Sequence, residues 1–122
     1  MLKLYKIHNQ VTGEVFTLFA TSKAGAISCC PLNPGDTFTI DEVMATLPDG
    51  SQHNIHMLKD IPHNDYFRTV NYNSLKAGKT VWLKEVDSYD RSTRKYCCIA
   101  AEDICKSREF KPTQWVITTF TY

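Results

Sequence analysis

The sequence lacks the short motifs that most directly identify an enzyme. It contains no CxxC, no HExxH, no GxSxG, no Walker loop and no GxGxxG after a predicted strand. These motifs are typical of redox or metal centres, zinc proteases, serine hydrolases and nucleotide-binding enzymes. We therefore expect a protein that is not an enzyme and that uses no cofactor.

Long apolar runs and a strong net charge are missing as well. No apolar stretch approaches the roughly 20 residues that span a bilayer, so we expect no membrane partner. Fourteen Lys and Arg against thirteen Asp and Glu leave a net charge of +1, which is too small for an obligate polyanion binder. The charge is uneven, since residues 62–122 hold ten basic and seven acidic residues, whereas residues 1–61 hold four and six.

The cysteines form an odd set of five, namely Cys29, Cys30, Cys97, Cys98 and Cys105. The first residues, MLKLYKIHNQ, lack the apolar stretch of a signal peptide, so we expect the mature chain to begin at Met1. Both features favour reduced thiols and a cytoplasmic location. Adjacent cysteines on a strand face opposite ways, so core packing is the expected role rather than a shared metal ion.

Length and composition predict one domain over residues 1–122, because 43% hydrophobic residues are enough to bury one core. Subdomains at 1–60 and 61–122 are an open alternative, with the loop at 59–67 as their boundary. The predicted class is α+β. An N-terminal β-hairpin and a short helix precede a mostly antiparallel sheet or a small, partly open barrel.

Local patterns predict the individual elements. Two β-rich runs, 2–8 and 14–20, flank a turn in which Gly13 takes a positive φ. Thr21 or Ser22 then caps a helix that ends at Cys30, because Pro31 cannot continue it. The remaining predictions are a hairpin joining 37–47 to 52–58, strands at 68–72, 80–87, 94–100 and 114–122, and one helical turn at 101–106. Residues 37–47 also fit helical spacing, and the turn residues at 48–51 decide in favour of strands.

Basic and aromatic residues alternate through the second half, above all between residues 66 and 96. The candidate binding residues are Tyr66, Arg68, Trp82, Lys84, Tyr89, Arg91, Arg94, Lys95 and Tyr96. Tyr, Trp and Arg are enriched at protein–protein hot spots. The leading hypothesis is therefore a non-catalytic protein that binds a macromolecule, with another protein as the expected partner.

Two alternatives use other chemistry. The same basic and aromatic residues on a β-sheet face stack bases and neutralise phosphates, which predicts a single-stranded nucleic-acid-binding domain. Histidines near the centre, His53, His56 and His63, are candidate zinc ligands, and with the thiols they suggest a small metal- or thiol-dependent enzyme. Residues three apart on a strand face opposite ways, which argues against convergence of His53 and His56 on one ion.

The C-terminal strand suggests one more interaction. Val116, Thr118, Phe120 and Tyr122 alternate on one face, with Trp115 and Ile117 on the other. If this strand lies exposed at a sheet edge, it can pair with a partner or with a second copy to form a homodimer.

The order of segments resembles that of small uncharacterised bacteriophage accessory proteins. The hairpin is followed by Ala20-Thr21-Ser22-Lys23-Ala24-Gly25-Ala26-Ile27, then by Lys95-Tyr96, Asp103-Ile104 and the closing strand Val116-x-Thr118-x-Phe120-x-Tyr122. The resemblance implies a compact viral protein of the host cytoplasm that binds, modulates or inhibits a host protein. It carries no catalytic residue and no binding residue over to this chain.

Overall fold

The computed structural model describes residues 1–118 of the chain. Within these residues the protein is mostly antiparallel β-sheet with one short α-helix, and its larger sheet is curled into a half-barrel. The predicted mixture of an N-terminal hairpin, a short helix and a mostly antiparallel sheet is confirmed at this level. No helix within residues 1–118 is long and apolar enough to cross a membrane.

The N-terminal unit is a three-stranded sheet with a helix beside it. Its elements are β1 (Lys3–Asn9), β2 (Val15–Ala20), α1 (Lys23–Cys29) and β3 (Phe38–Glu42), and the strand order is β2-β1-β3. Gly13 has a φ of 77° in the turn between β1 and β2, as predicted. Ser22 caps α1, because its hydroxyl accepts a hydrogen bond from the backbone N–H of Gly25 at 3.1 Å.

The segment 37–47 is extended, which confirms the choice of strand over helix, but it does not form one hairpin arm. Its first part, β3, pairs with β1 of the N-terminal sheet. Its second part, β4 (Met44–Thr46), pairs with β5 (Gln52–Asn54) in a small two-stranded sheet. The predicted hairpin with residues 52–58 is therefore correct only for β4, because β3 pairs with β1 instead.

The larger sheet has seven strands, mostly from the second half of the chain. They are β6 (His56–Met57), β7 (Asp65–Thr69), β8 (Trp82–Lys84), β9 (Tyr89–Asp90), β10 (Lys95–Ala100), β11 (Ser107–Phe110) and β12 (Trp115–Thr118). The strand order is β11-β10-β8-β7-β12-β6, and β9 pairs with β10 off this path. All pairings in this sheet are antiparallel.

Several details differ from the sequence prediction, among them the strand predicted at 80–87, which is present only over Trp82–Lys84. β7 begins at Asp65, inside the segment predicted to be a loop, because Phe67 is needed in the core. β11 was not predicted, since only its last residue, Phe110, is buried. Residues 101–106 form turns rather than one turn of helix. The predicted strand 114–122 is present over Trp115–Thr118, and its last four residues lie outside the described part of the chain.

The last described strand separates two of the three hydrophobic clusters. Val116 belongs to the first cluster, while Trp115 and Ile117 contact the second from the other side of β12. This confirms the predicted alternation for those three residues. The first cluster consists of Leu58, Ile61, Phe67, Trp82, Cys98, Ala100, Phe110 and Val116.

The prediction of an exposed terminal edge is wrong for the first half of β12. This strand pairs with β7 on one side and with β6 on the other. β6 pairs with Trp115 and Val116, and β7 pairs with Val116, Ile117 and Thr118. At Val116 both sides of the strand are therefore occupied, and that part of β12 offers no edge for a partner or a second copy.

Candidate binding surface

The predicted binding residues converge at only one place, the hairpin of residues 88–96, which we call the 88–96 hairpin. Its two short arms pair Tyr89 with Tyr96 and Asp90 with Lys95. The turn between them carries Arg91 and Arg94, and both side chains are exposed.

Hydrogen bonds within the turn hold it in one conformation. The Asp90 carboxylate accepts from the backbone N–H of Ser92 at 2.9 Å and from the Ser92 hydroxyl at 2.7 Å. These bonds lower the pKa of the Asp90 carboxyl, because they stabilise its charged form. The Arg94 N–H donates to the Asp90 carbonyl at 2.8 Å, and Arg94 takes a left-handed φ of 56°. The turn is therefore organised before any partner arrives.

The cations of the turn are not neutralised by neighbours. Within residues 1–118 no carboxylate forms an ion pair with Arg91 or Arg94 at 4.0 Å or less. The Asp90 carboxylate is nearby in sequence, but it accepts a hydrogen bond from Ser92 within the turn. Both guanidinium groups are consequently free to meet an external acceptor.

An aromatic pair forms the base of this hairpin. The Tyr89 and Tyr96 rings lie 5.0 Å apart at an interplanar angle of 53°. Tyr96 is half-buried and packs against the first cluster, whereas Tyr89 is 42% exposed. Burial raises the pKa of the Tyr96 hydroxyl, and the neighbouring Tyr89 raises it further. Tyr89 thus presents a ring to solvent on a support that belongs to the core.

Lys84 lies beneath this pair and was wrongly predicted to be a surface cation. It is only 1% exposed, and its ammonium donates to the carbonyls of Leu58 at 2.9 Å, Ile61 at 2.6 Å and Lys59 at 3.4 Å. The Tyr96 ring centre is 4.9 Å from Lys84 Nζ. Three acceptors match the three N–H groups of an ammonium, and the ring face adds a cation–π contact.

Three ionisable groups lie near the Lys84 ammonium, of which Cys98 and Asp65 are buried and Asp60 is half-buried. Burial lowers the pKa of Lys84, and the nearby Cys98, Asp60 and Asp65 oppose that shift. Burial raises the pKa of the Cys98 thiol to about 12. This thiol is therefore protonated at neutral pH, which counts against its use as the nucleophile of a thiol-dependent enzyme.

Trp82 is the second residue wrongly assigned to the surface. It is 4% exposed, and its ring meets Phe110 edge-on at 5.1 Å inside the first cluster. Trp82 and Lys84 are two positions apart, so both side chains lie on the inner face of β8. Their cross-strand neighbours Phe67 and Asp65 lie on the same face. Neither Trp82 nor Lys84 is available to stack on a base or to contact a phosphate.

The other predicted residues are scattered. Tyr66 is 40% exposed but lies on the opposite face of the sheet from Phe67 and the 88–96 hairpin. The Arg68 guanidinium donates to the carbonyls of Gly78 at 3.2 Å and Lys79 at 3.5 Å, so it holds a loop. Lys95 is half-buried at the end of the hairpin arm.

The three histidines are not brought together. His53 lies on β5 and contacts the Ser51 hydroxyl at 3.1 Å, and His63 is exposed in a loop. His56 is buried, and its Nδ1–H donates to the Leu2 carbonyl at 2.8 Å. Burial lowers the pKa of His56. Within residues 1–118 no group of three or more His, Cys, Asp or Glu is placed to hold a metal ion.

Sequence reasoning missed two clefts at the other end of the sheet. One, of about 300 Å³, is lined by Thr69, Gly78, Lys79, Thr80, Trp82, Lys106, Ser107 and Arg108. The next, of about 470 Å³, shares Thr69, Gly78 and Arg108 with the first, and Lys76 and Tyr72 also line it. The cations come from segments about thirty residues apart, so their convergence leaves no local sequence pattern.

No protein-family model matches this chain, and neither a curated protein nor a solved structure matches it.

Proposed function

We propose that this is a non-catalytic binding protein that engages another protein through the 88–96 hairpin. The observation that carries the proposal is the exposed set of Tyr89, Arg91 and Arg94 on a turn fixed by its own hydrogen bonds. Tyr and Arg are the residues that most often dominate protein–protein binding energy. A turn that is already ordered loses little conformational entropy on binding.

A protein partner fits the charge of this surface better than a polyanion does. Glu85 and Asp87 precede the hairpin, and Asp90 lies within it. The mixture of two free guanidinium groups, a tyrosine ring and nearby carboxylates suits a partner that offers both signs of charge. Acidic and aromatic side chains on that partner would receive Arg91, Arg94 and Tyr89.

The resemblance to bacteriophage accessory proteins supports a host protein as the partner. In this proposal the chain acts in the host cytoplasm, and occupation of the host protein's surface modulates or inhibits it. Nothing in the proposed contact requires a bond to be made or broken in either protein.

The proposal is tested by capture from a bacterial lysate with the purified chain as bait. The double variant Arg91→Ala/Arg94→Ala removes both free cations while leaving the core untouched. We expect it to lose the captured protein and to keep its melting temperature, because both side chains are exposed and unpaired. Tyr89→Ala should weaken capture by about tenfold or more for the same reason.

The matched control is Lys6→Ala/Lys23→Ala, which removes two exposed cations from the N-terminal unit. Capture should survive this change. Unaltered capture by the hairpin variant, or equal loss in both double variants, would contradict the proposed surface.

A further inference from the structure

The two clefts that share Thr69, Gly78 and Arg108 form one groove, which we call the basic groove. Four cations line it, and they come from separate parts of the chain: Lys76, Lys79, Lys106 and Arg108. Within residues 1–118 no carboxylate lines either cleft, and none forms an ion pair with these four groups. In a protein of net charge +1, this is a local concentration of positive charge, in which Lys106 lies 5.7 Å from the Trp82 ring centre and Arg108 lies 5.2 Å from that of Phe110.

An aromatic ring stands at one end of the groove. Tyr72 is 54% exposed, and its ring centre lies 4.7 Å from that of Trp115. Trp115 in turn contacts Phe19 edge-on at 6.2 Å. The Tyr72 ring is therefore supported from behind while its outer side remains open to solvent, which is the arrangement of a base-stacking platform.

The wall of the groove is fixed rather than loose. The Arg68 guanidinium donates to the carbonyls of Gly78 and Lys79, and the Gly78 N–H donates to the Thr69 carbonyl at 2.7 Å. A Cβ at Gly78 would lie 3.0 Å from the Thr69 hydroxyl, so a side chain there would crowd the shared part of the groove. The backbone that carries Lys79 is consequently held in place against β7.

We propose that the basic groove binds a short stretch of single-stranded nucleic acid. The four cations contact successive phosphates, and a base stacks on Tyr72. Clefts of about 300 and 470 Å³ accept individual nucleotides rather than a double helix. This site differs from the β face predicted for nucleic acid, in which Trp82 and Lys84 are buried, and it is separate from the 88–96 hairpin.

Acidic residues limit the site on one side. Glu102 and Asp103 line a neighbouring cleft together with Lys79 and Lys106. The Asp103 carboxylate accepts from the Cys105 N–H at 3.0 Å, so it is occupied within its own turn. The strand of nucleic acid therefore runs from Lys106 towards Tyr72 and away from these carboxylates.

Fluorescence anisotropy with a labelled oligothymidine of about 12 nucleotides, in about 25 mM salt, tests the proposal. Lys79→Gln/Arg108→Gln should weaken binding roughly tenfold or more, because two phosphate contacts are lost. Lys6→Gln/Lys23→Gln removes the same charge elsewhere and should change affinity less than about threefold. Arg91→Ala/Arg94→Ala should also bind normally, which separates this site from the proposed protein-binding surface.

The base-stacking step has its own variants. Tyr72→Ala should weaken binding roughly tenfold, whereas Tyr72→Phe should keep it, since the ring and not the hydroxyl stacks. Both are measured at a temperature where their circular dichroism equals that of the unaltered protein. Heparin, a polyanion without bases, should compete with oligothymidine for the groove. Its affinity should fall in Lys79→Gln/Arg108→Gln but not in Tyr72→Ala.

Four results would overturn the proposal. The first is no detectable oligothymidine binding, and the second is an equal loss of affinity in Lys79→Gln/Arg108→Gln and Lys6→Gln/Lys23→Gln. The third is an unchanged affinity in Tyr72→Ala, and the fourth is tighter binding of a duplex than of the single strand. The third result would mean that the groove holds an anion without reading a base.

Discussion

The basic and aromatic side chains of the second half occupy two contrasting regions. Around Lys84 they are buried, and the ammonium is satisfied by three carbonyls and the Tyr96 ring. In the 88–96 hairpin and along the basic groove they are exposed, and within residues 1–118 their cations form no ion pair with a carboxylate. The same residue types thus stabilise the fold in the first region and are available to a ligand in the second.

This difference teaches that residue type does not locate a binding surface in a curled sheet. Trp82 and Tyr89 are seven positions apart, yet one lies in the first cluster and the other faces solvent. The position of a residue in the sheet decides between the two roles, since Trp82 contacts Phe110 within the first cluster, whereas Tyr89 lies on β9 beside the main strand order. Substitutions in the buried region should therefore lower stability, whereas substitutions in the exposed region should lower binding.

The largest effect is expected from Trp82→Ala. Removing a buried indole that contacts Phe110 should lower the free energy of unfolding by about 3–5 kcal/mol. Tyr89→Ala is the matched change in the exposed region and should lower it by less than about 1 kcal/mol. Urea denaturation followed by circular dichroism measures both. Similar losses in the two variants would erase the contrast between the regions.

Lys84→Met should have the next largest effect. Methionine fills a similar volume but leaves the Leu58 and Ile61 carbonyls without their donor, and half-buried Asp60 already has a buried oxygen without a hydrogen-bond partner. We expect a loss of about 2–3 kcal/mol in the free energy of unfolding. Lys79→Met, in the exposed region, should leave the denaturation midpoint nearly unchanged. An equally stable Lys84→Met protein would mean that the buried ammonium contributes nothing.

The smallest effect is a dependence of stability on alkaline pH. The pKa of Cys98 is about 12 in the folded protein and near 9.0 when unfolded. Between these values the unfolded chain binds fewer protons, so this thiol makes stability fall as pH rises above 9. At pH 10 its contribution is a loss of about 1.4 kcal/mol. Cys98→Val should show a shallower decline than the unaltered protein, and Cys97→Val should not.

The sequence was sufficient for elements whose signals are local. The turn at Gly13, the cap at Ser22 and the stop at Pro31 predict the first hairpin and α1. The alternation of Val116 with Trp115 and Ile117 predicts the last strand and the two faces on which these residues lie. Each of these features depends on residues within a few positions of one another.

Features that depend on distant partners were not predictable. β3 pairs with β1 rather than with the segment that follows it, and that choice is made between strands about thirty residues apart. The burial of Lys84 depends on carbonyls of residues 58–61. One signal was present, since Trp82 and Lys84 share a face by strand alternation, and a tryptophan there indicates the core side. The lysine at position 84 favoured the opposite interpretation, because lysine is usually exposed.

Amine labelling of the native protein tests the central claim most directly. A brief reaction with an acetylating N-hydroxysuccinimide ester, followed by peptide mass spectrometry, compares Lys84 with Lys79 and Lys106 in one sample. We predict that Lys79 and Lys106 are acetylated while Lys84 stays unmodified until the chain is unfolded, because only Lys84 is buried. Acetylation of Lys84 in the native protein at the rate of Lys79 would contradict the division of these cations into an interior set and a free set.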